Sequence, residues 1–345
     1  MVIIMQAGAP EAEVAAVIAA VERAGFQPFV NPGVERKVIA LLGAVDAEKA
    51  ELVDHFSALP GVERVTLISE PYKLASRSTH PEATLVKVGS VAIGGPNLAV
   101  IAGPCSIESR EQMLSIAGTV AKAGANLLRG GAFKPRTSPY SFQGLGVAGL
   151  EALAEAGRIT GLPVVTEVLH PGDLEAIVQY ADVIQVGARN MQNFRLLQEV
   201  GQTGKPVILK RNPGCRVREL LMACEYIMLE GNRDVVLCER GITTFEDATR
   251  YTFDLNAISV IKRFSHLPVI ADPSHSAGDW RYVQSVALGA IAAGADGVMI
   301  EVHDDPASAL SDGPQSLLPE RFEKLMETMA QVAHAVGRSI ESRRQ

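Results

Sequence analysis

From Leu98 onward, short and mostly apolar runs alternate with longer stretches in which apolar positions recur every three or four residues. The runs fall at 98–102 (LAVIA), 126–129 (NLLR), 163–167 (PVVTE), 183–187 (VIQVG), 206–210 (PVILK), 235–239 (VVLCE), 268–272 (PVIAD) and 297–301 (GVMIE). Each is too short for a helix and apolar on both faces, as a strand in a sheet wrapped by helices requires. Helical spacing fills the intervals at 109–124, 147–160, 172–180, 191–202, 216–230, 254–264 and 280–294. Eight alternations in about 240 residues predict an α/β protein whose strands close into a (β/α)8 TIM barrel. The competing architecture, an open doubly wound sheet, more often has six strands.

The first 70 residues read differently: strand 1–5, helix 11–24, strands 26–30 and 36–42, helix 46–58 and strand 62–68, with turns at Pro32-Gly33 and Pro60-Gly61. This βαββαβ order predicts a small ferredoxin-like domain over 1–70. It carries no cluster of His, Cys and carboxylate, and its His55 reads as a surface or packing residue. Residues 71–95 read as a linker and a short hairpin: SEPYKLASRSTHPEA is rich in Pro, Ser and charge, and Gly89-Ser90 separates two alternating runs. The barrel is expected over 96–340.

Composition narrows the class. The 345 residues are 47% hydrophobic, enough for a full core, and the formal charge of -7 argues against a general nucleic-acid binder. Cys105, Cys215, Cys224 and Cys238 form no CxxC pair, which suits a reducing, cytoplasmic compartment. No apolar run approaches the ~18 residues of a membrane span, and the opening MVIIMQAG lacks the basic start of a secretory signal.

Candidate chemistry collects at the far ends of the barrel strands, where barrel enzymes keep their active sites. Cys105, Arg129, Lys134, Glu167, Arg189, Lys210, Arg240, His275 and Glu301 all lie there. Strands one, seven and eight are neighbours around a closed barrel, so Cys105 (AGPCS), His275 (DPSHS), Glu301 and Asp312 (SDG) can meet at one rim. A thiolate, an imidazole and two carboxylates suit one divalent ion such as Zn²⁺, Fe²⁺, Mn²⁺ or Co²⁺. His303 and Asp304 compete for the same ligand roles, and a lone cysteine beside a strand is more often a small buried hydrophobe. Arg129, Lys134, Arg136, Arg189, Lys210 and Arg240 concentrate positive charge in an acidic chain, implying more than one phosphate or carboxylate to hold. Gly130-Gly131 would also be able to bring backbone N–H groups close to an oxyanion. GLGVAG (144–149) matches a dinucleotide fingerprint but follows a polar loop instead of a strand, so it reads as a glycine-rich entry to the helix at 147–160.

The stretches IAGPCSIES (101–109), LLRGGAFKPRTSPYSFQGLG (127–146), QVGARNMQNF (185–194), ILKR (208–211), CERG (238–241), DPSHS (272–276) and EVHDDPASALSDGPQSL (301–317) resemble the 3-deoxy-D-arabino-heptulosonate 7-phosphate (DAHP) synthases. The resemblance is to the subfamily close to the 3-deoxy-octulosonate 8-phosphate synthases and covers essentially the whole chain. It implies condensation of phosphoenolpyruvate with erythrose 4-phosphate, the start of aromatic amino-acid synthesis, on one divalent metal ion held by Cys105, His275, Glu301 and Asp312. It further implies that Arg129, Lys134, Ala188, Arg189, Lys210 and Arg240 hold phosphoenolpyruvate, with the Ala188 N–H at its phosphate. Arg136 and Thr137, in KPRTS, would hold the phosphate of erythrose 4-phosphate. Lys134 would protonate the developing alkoxide and Glu167 would orient water. A homo-oligomer, with a tetramer favoured, and control through the ferredoxin-like domain by tyrosine or phenylalanine also follow from the resemblance. The alternatives are an octulosonate-type synthase using another phosphorylated aldose and a catalytically silent anion-binding barrel. Two segments depart from the subfamily pattern, RNPGCRVREL (211–220) and AGDWR (277–281), and they bear on sugar contacts and subunit packing.

Overall fold

The computed structural model describes residues 1–31, 36–42, 49–66, 71–136 and 138–340. The chain forms two compact units, one of Met1–Ala83 with Arg263–His266, the other of Thr84–Lys262 with the chain from Leu267 onward.

The first unit is built from β1 (Val2–Met5), α1 (Glu11–Arg23), β2 (Gln27–Asn31), β3 (Val38–Leu42), α2 (Lys49–Ser57) and β4 (Val62–Thr66). The sheet is antiparallel in the order β2-β3-β1-β4, as the βαββαβ reading anticipates. Alternation along β1 sends Ile3 and Met5 to one face, where Val14, Val17, Ala20 and Val21 of α1 and Phe56 of α2 bury against them. Val2 packs on the opposite face with Val38 and Ala40. The Pro- and Ser-rich stretch is packed, not solvated: Tyr72, Leu74, Ala75 and Thr79 are buried. Its backbone carries part of the packing, since Asn31 Nδ2 donates to the Thr79 carbonyl at 3.1 Å. The expected turn at Pro32-Gly33, the first turn of the helix placed at 46–58 and the end of the strand placed at 62–68 lie outside the described residues.

The second unit opens with a hairpin, β5 (Val86–Val88) and β6 (Val91–Ile93). Eight parallel strands follow: β7 (Ala99–Gly103), β8 (Leu127–Arg129), β9 (Val164–Val168), β10 (Val183–Val186), β11 (Val207–Lys210), β12 (Val235–Glu239), β13 (Val269–Ala271) and β14 (Gly297–Glu301). β14 pairs with β7 and closes the barrel. Val86, Val88 and Ile93 of the hairpin join Ala99, Leu127, Val183 and Ile270 near the strand starts, sealing that end with apolar side chains. The opposite end is left for polar chemistry.

Helices α3 (Arg110–Lys122), α4 (Val147–Thr160), α5 (Leu174–Tyr180), α6 (Phe194–Gln202), α7 (Val217–Leu229), α8 (Leu255–Phe264), α9 (Pro273–Ala277), α10 (Trp280–Ala292) and α11 (Pro319–Ala335) complete the α-helices among the described residues. α6 starts three residues later than its apolar spacing suggests. Ala188–Asn190 forms a 3₁₀ turn, and the Asn193 side chain caps α6 by accepting from the Leu196 N–H. α9 and α11 are additions to the expected helices. The GLGVAG glycines are structural: Gly144 has φ 98°, where a Cβ would stand 2.1 Å from the Ala132 carbonyl oxygen, and Gly146 turns the chain into α4.

Candidate active site

β7, β8, β13 and β14 lie side by side, so the loops leaving them converge. Cys105 follows β7, Glu301 ends β14, and α9, entered directly from β13, carries His275. Asp272 sets the start of α9: its carboxylate caps the His275 N–H at 3.0 Å, and Pro273 occupies the first helical position. Asp312 has φ 49°, the one non-glycine residue at positive φ among the described residues. Such a conformation costs about 1–3 kcal/mol and persists where surrounding contacts hold it.

These residues bring one atom each, Cys105 Sγ, a His275 ring nitrogen and a carboxylate oxygen of Glu301 and of Asp312, within 4.8 Å of one another. The four side chains are positioned to coordinate a single divalent metal ion. His275 Nδ1 lies 2.8 Å from Asp272 Oδ2, without hydrogen-bond alignment, while Nε2 faces Glu301 Oε1 at 3.4 Å. Asp272 favours the ring proton on Nδ1 and leaves the Nε2 lone pair toward the cluster. Burial pushes the His275 pKa down against the pull of Asp272 and Glu301, which keeps the imidazole neutral, the form that binds metals. Burial, with Glu301, pushes the Cys105 thiol up to about 12. The thiol therefore holds its proton, donated to Asp312 Oδ2 at 3.1 Å, until a cation replaces it. Burial alone would raise the Asp312 carboxyl, but His275, Cys105 and Arg250 hold it well below the usual carboxylate range.

His303 and Asp304 do not join this cluster. The His303 ring turns toward Gln112 and Glu108, with Nε2 at 3.0 and 3.6 Å, and its Nδ1 accepts from the Asp305 N–H. Asp304 is exposed.

A cavity of about 370 Å³ opens beside the cluster, with His275 and Asp312 on its wall. Lys134, Arg136, Glu167, Ala188, Arg189, Lys210 and Arg240 line it as well. Arg129 is buried beneath, donating to Glu301 Oε1 at 2.8 Å. Lys134 Nζ donates to Cys105 Sγ and to the Cys105 carbonyl, both at 3.1 Å. Burial favours losing its proton, yet Cys105 and Glu167 raise its pKa, so the ammonium persists. Arg189 donates to the Pro135 carbonyl at 2.7 Å, tying it to the KPRTS loop. Lys210 Nζ pairs with Asp272 Oδ2 at 2.5 Å, and Arg240 lies 4.2 Å over the Tyr251 ring. Glu167 accepts from Gln185 Nε2 at 3.1 Å, and Gly187 leaves room for it, since a Cβ there would meet Glu167 Oε1 at 1.9 Å. Thr137 lies outside the described residues.

Several residues in this region escaped the sequence reading. Asp272 had a legible signal, an Asp-Pro helix start three residues before a candidate ligand. Arg250, Tyr251 and Asn212 had none, because they sit in loops with no periodicity, and Gln315 lies in a single 3₁₀ turn, Gly313–Gln315, too short to show one.

Comparison with known proteins agrees with this geometry. Residues 75–338 match the DAHP synthetase I family, and residues 1–70 match the DAHP synthase ferredoxin-like domain. The chain is 46% identical over 337 residues to a phospho-2-dehydro-3-deoxyheptonate aldolase of Thermotoga maritima, covering 98% of this chain and 99% of the relative. A 2-dehydro-3-deoxyphosphooctonate aldolase of Syntrophobacter fumaroxidans is 35% identical over 262 residues, covering 71% of this chain and 90% of the relative. The crystal structure of a Thermotoga maritima DAHP synthase superposes with a TM-score of 0.78 at 44% identity, covering 99% of this chain and 98% of that one. With a closed barrel, a four-ligand cluster and likeness along nearly its whole length, the chain belongs to the DAHP synthetase I family.

Proposed function

We propose that the protein condenses phosphoenolpyruvate with erythrose 4-phosphate and water to give DAHP and inorganic phosphate, the first step of the shikimate pathway. One observation carries the reading: a cluster suited to a divalent ion and a set of lysines and arginines suited to anions share a single cavity. The heptulosonate relative matches along both the barrel and the ferredoxin-like domain, whereas the octulosonate relative matches 71% of the chain at lower identity. This favours the four-carbon sugar.

In this reading Arg129, Lys134, Arg189, Lys210 and Arg240, with the Ala188 N–H, hold the phosphate and carboxylate of phosphoenolpyruvate, and Arg136 and Thr137 hold the sugar phosphate. Cys105, His275, Glu301 and Asp312 hold the metal, which when bound supplies Lewis acidity toward the aldehyde oxygen. Phosphoenolpyruvate C3 forms a bond to C1 of the sugar as water adds at C2. The Lys134 ammonium delivers the proton that the developing alkoxide takes up, Glu167 orients the water, and the proton the water sheds as its oxygen bonds to C2 restores the Lys134 ammonium. The hemiketal then loses phosphate by cleavage of the bond between C2 and the phosphate oxygen; its hydroxyl proton leaves with the phosphate, and a C2 ketone remains.

The ferredoxin-like match over 1–70 supports feedback control by tyrosine or phenylalanine, exerted if the effector binds one arrangement of the protein more tightly than another. A homo-oligomer, a tetramer in this reading, rests on the family resemblance. Among the described residues no helix is long and apolar enough to cross a membrane, and all four cysteines are free, which supports a cytoplasmic setting. Mass analysis of the product tests the reaction: a seven-carbon keto acid monophosphate is expected from manganese-loaded protein, and recovery of both substrates unchanged would refute it.

A further inference from the structure

Beyond Arg240, the loop between β12 and α8 has no part in the reaction just described, yet it reaches the metal cluster. Its ends pair through mutual backbone hydrogen bonds between Ile242 and Thr252. The Arg250 and Tyr251 N–H groups then donate to the carbonyls of Ala277 and Ser276, at 3.1 and 2.8 Å. Arg250 is thereby hung on α9, the short helix that carries His275. Gly278, in the departing AGDWR segment, permits the approach: it has φ 70°, and a Cβ there would stand 2.5 Å from Arg250 Cβ.

From that anchor a single guanidinium nitrogen, Nη1, donates to Asp312 Oδ1 at 3.1 Å and to Gln315 Oε1 at 2.9 Å. Gln315, itself buried, passes the contact on, with Nε2 donating to Glu301 Oε2 at 2.6 Å. The oxygens engaged are those turned from the cluster, since Asp312 Oδ2 faces Cys105 and Glu301 Oε1 faces His275. The network thus fixes the outer oxygens of both carboxylates and leaves the inner ones turned to the cluster, where Glu301 Oε1 also accepts from Arg129 and Asp312 Oδ2 from the Cys105 thiol.

We propose that Arg250 and Gln315 are positioning residues of the metal centre, locking the two carboxylate ligands to the helix that bears the histidine. The proposal rests on the four-ligand centre of the preceding section and adds residues that hold its shape. Without the lock Asp312 is free to leave its strained conformation, and the site must be reassembled at each binding event. Outer partners of metal ligands typically contribute about 10- to 100-fold in affinity. Because Arg250 bonds both Asp312 and Gln315, the effects of the two substitutions overlap.

Cobalt titration of the metal-free, full-length protein, followed by the absorption of the cobalt–thiolate bond, tests this directly. Arg250→Ala and Gln315→Leu are each expected to weaken cobalt binding by about 10- to 100-fold. The double variant should lose less than the product of the two, Arg250→Lys should recover part of the loss, and the melting temperature without metal should stay near that of the parent. Cobalt affinities within twofold of the parent in both single variants would overturn the proposal. So would a raised KM for either substrate at unchanged affinity, which would make Arg250 a substrate residue. A parent protein that gives no cobalt–thiolate band would overturn the metal centre itself, an outcome distinct from failure of the lock alone.

Discussion

At the residue scale, two arginines on one cavity wall are assigned different anions. Arg136 lies in the KPRTS loop and Arg189 is tied to that loop through the Pro135 carbonyl. Arg136→Ala should raise the KM for erythrose 4-phosphate with little change for phosphoenolpyruvate, and Arg189→Ala should do the reverse. Hydrogen bonds to charged groups contribute about 1.5–3 kcal/mol, so each KM should rise roughly 10- to 150-fold. Steady-state kinetics with each substrate varied in turn checks the pair, and equal damage to both KM values by Arg136→Ala would remove its separate role. The ligand set was legible at this scale because strand order in a closed barrel makes the ends of β7, β13 and β14 neighbours. Whether His303 or Asp304 belonged to it was not, since side-chain direction two or three residues past a strand depends on the loop's path. The His303 ring is committed to Gln112 and Glu108.

At the element scale, the strand ends are held by contacts that pattern alone does not reveal. Gly103 closes β7 at φ 150°, and a Cβ there would stand 2.1 Å from the Arg129 carbonyl oxygen. Gly103→Ala should therefore cost at least about 1–3 kcal/mol and shift Arg129 and its bond to Glu301. An unchanged melting temperature would contradict this. Arg211, first residue of the atypical RNPGCRVREL segment, donates to Glu239 Oε2 at 2.7 Å, Asp254 Oδ2 at 3.0 Å and the Cys215 carbonyl. Arg211, shared with the matching ILKR stretch, is thus a structural fastening between β11, β12 and the loop before α8. Glu239 is fully buried, and Arg211→Ala would strand its carboxylate at a cost of about 3–5 kcal/mol. Chemical denaturation should show a loss of that size, and a loss below about 1 kcal/mol would mean the pair is dispensable. α11 illustrates a different limit: its buried Phe322, Leu325, Met326, Met329 and Ala333 follow helical spacing, but eight strands already satisfied the barrel pattern without it.

At the scale of the whole molecule, the barrel and the βαββαβ sheet were legible because burial imposes period and order on long segments. The packing of Tyr72, Leu74 and Ala75 was not, because polar neighbours mask their burial in a stretch with linker-like composition. The account joins a metal centre to an anion-lined cavity, so its central claim has two inseparable parts, the metal and the sugar. The most direct measurement is phosphate release from phosphoenolpyruvate, followed with erythrose 4-phosphate and with arabinose 5-phosphate, before and after chelation and again after adding Mn²⁺. Release should be faster with erythrose 4-phosphate, vanish on verified metal removal and return with Mn²⁺. Faster release with arabinose 5-phosphate, or full activity in the metal-free protein, would contradict the account.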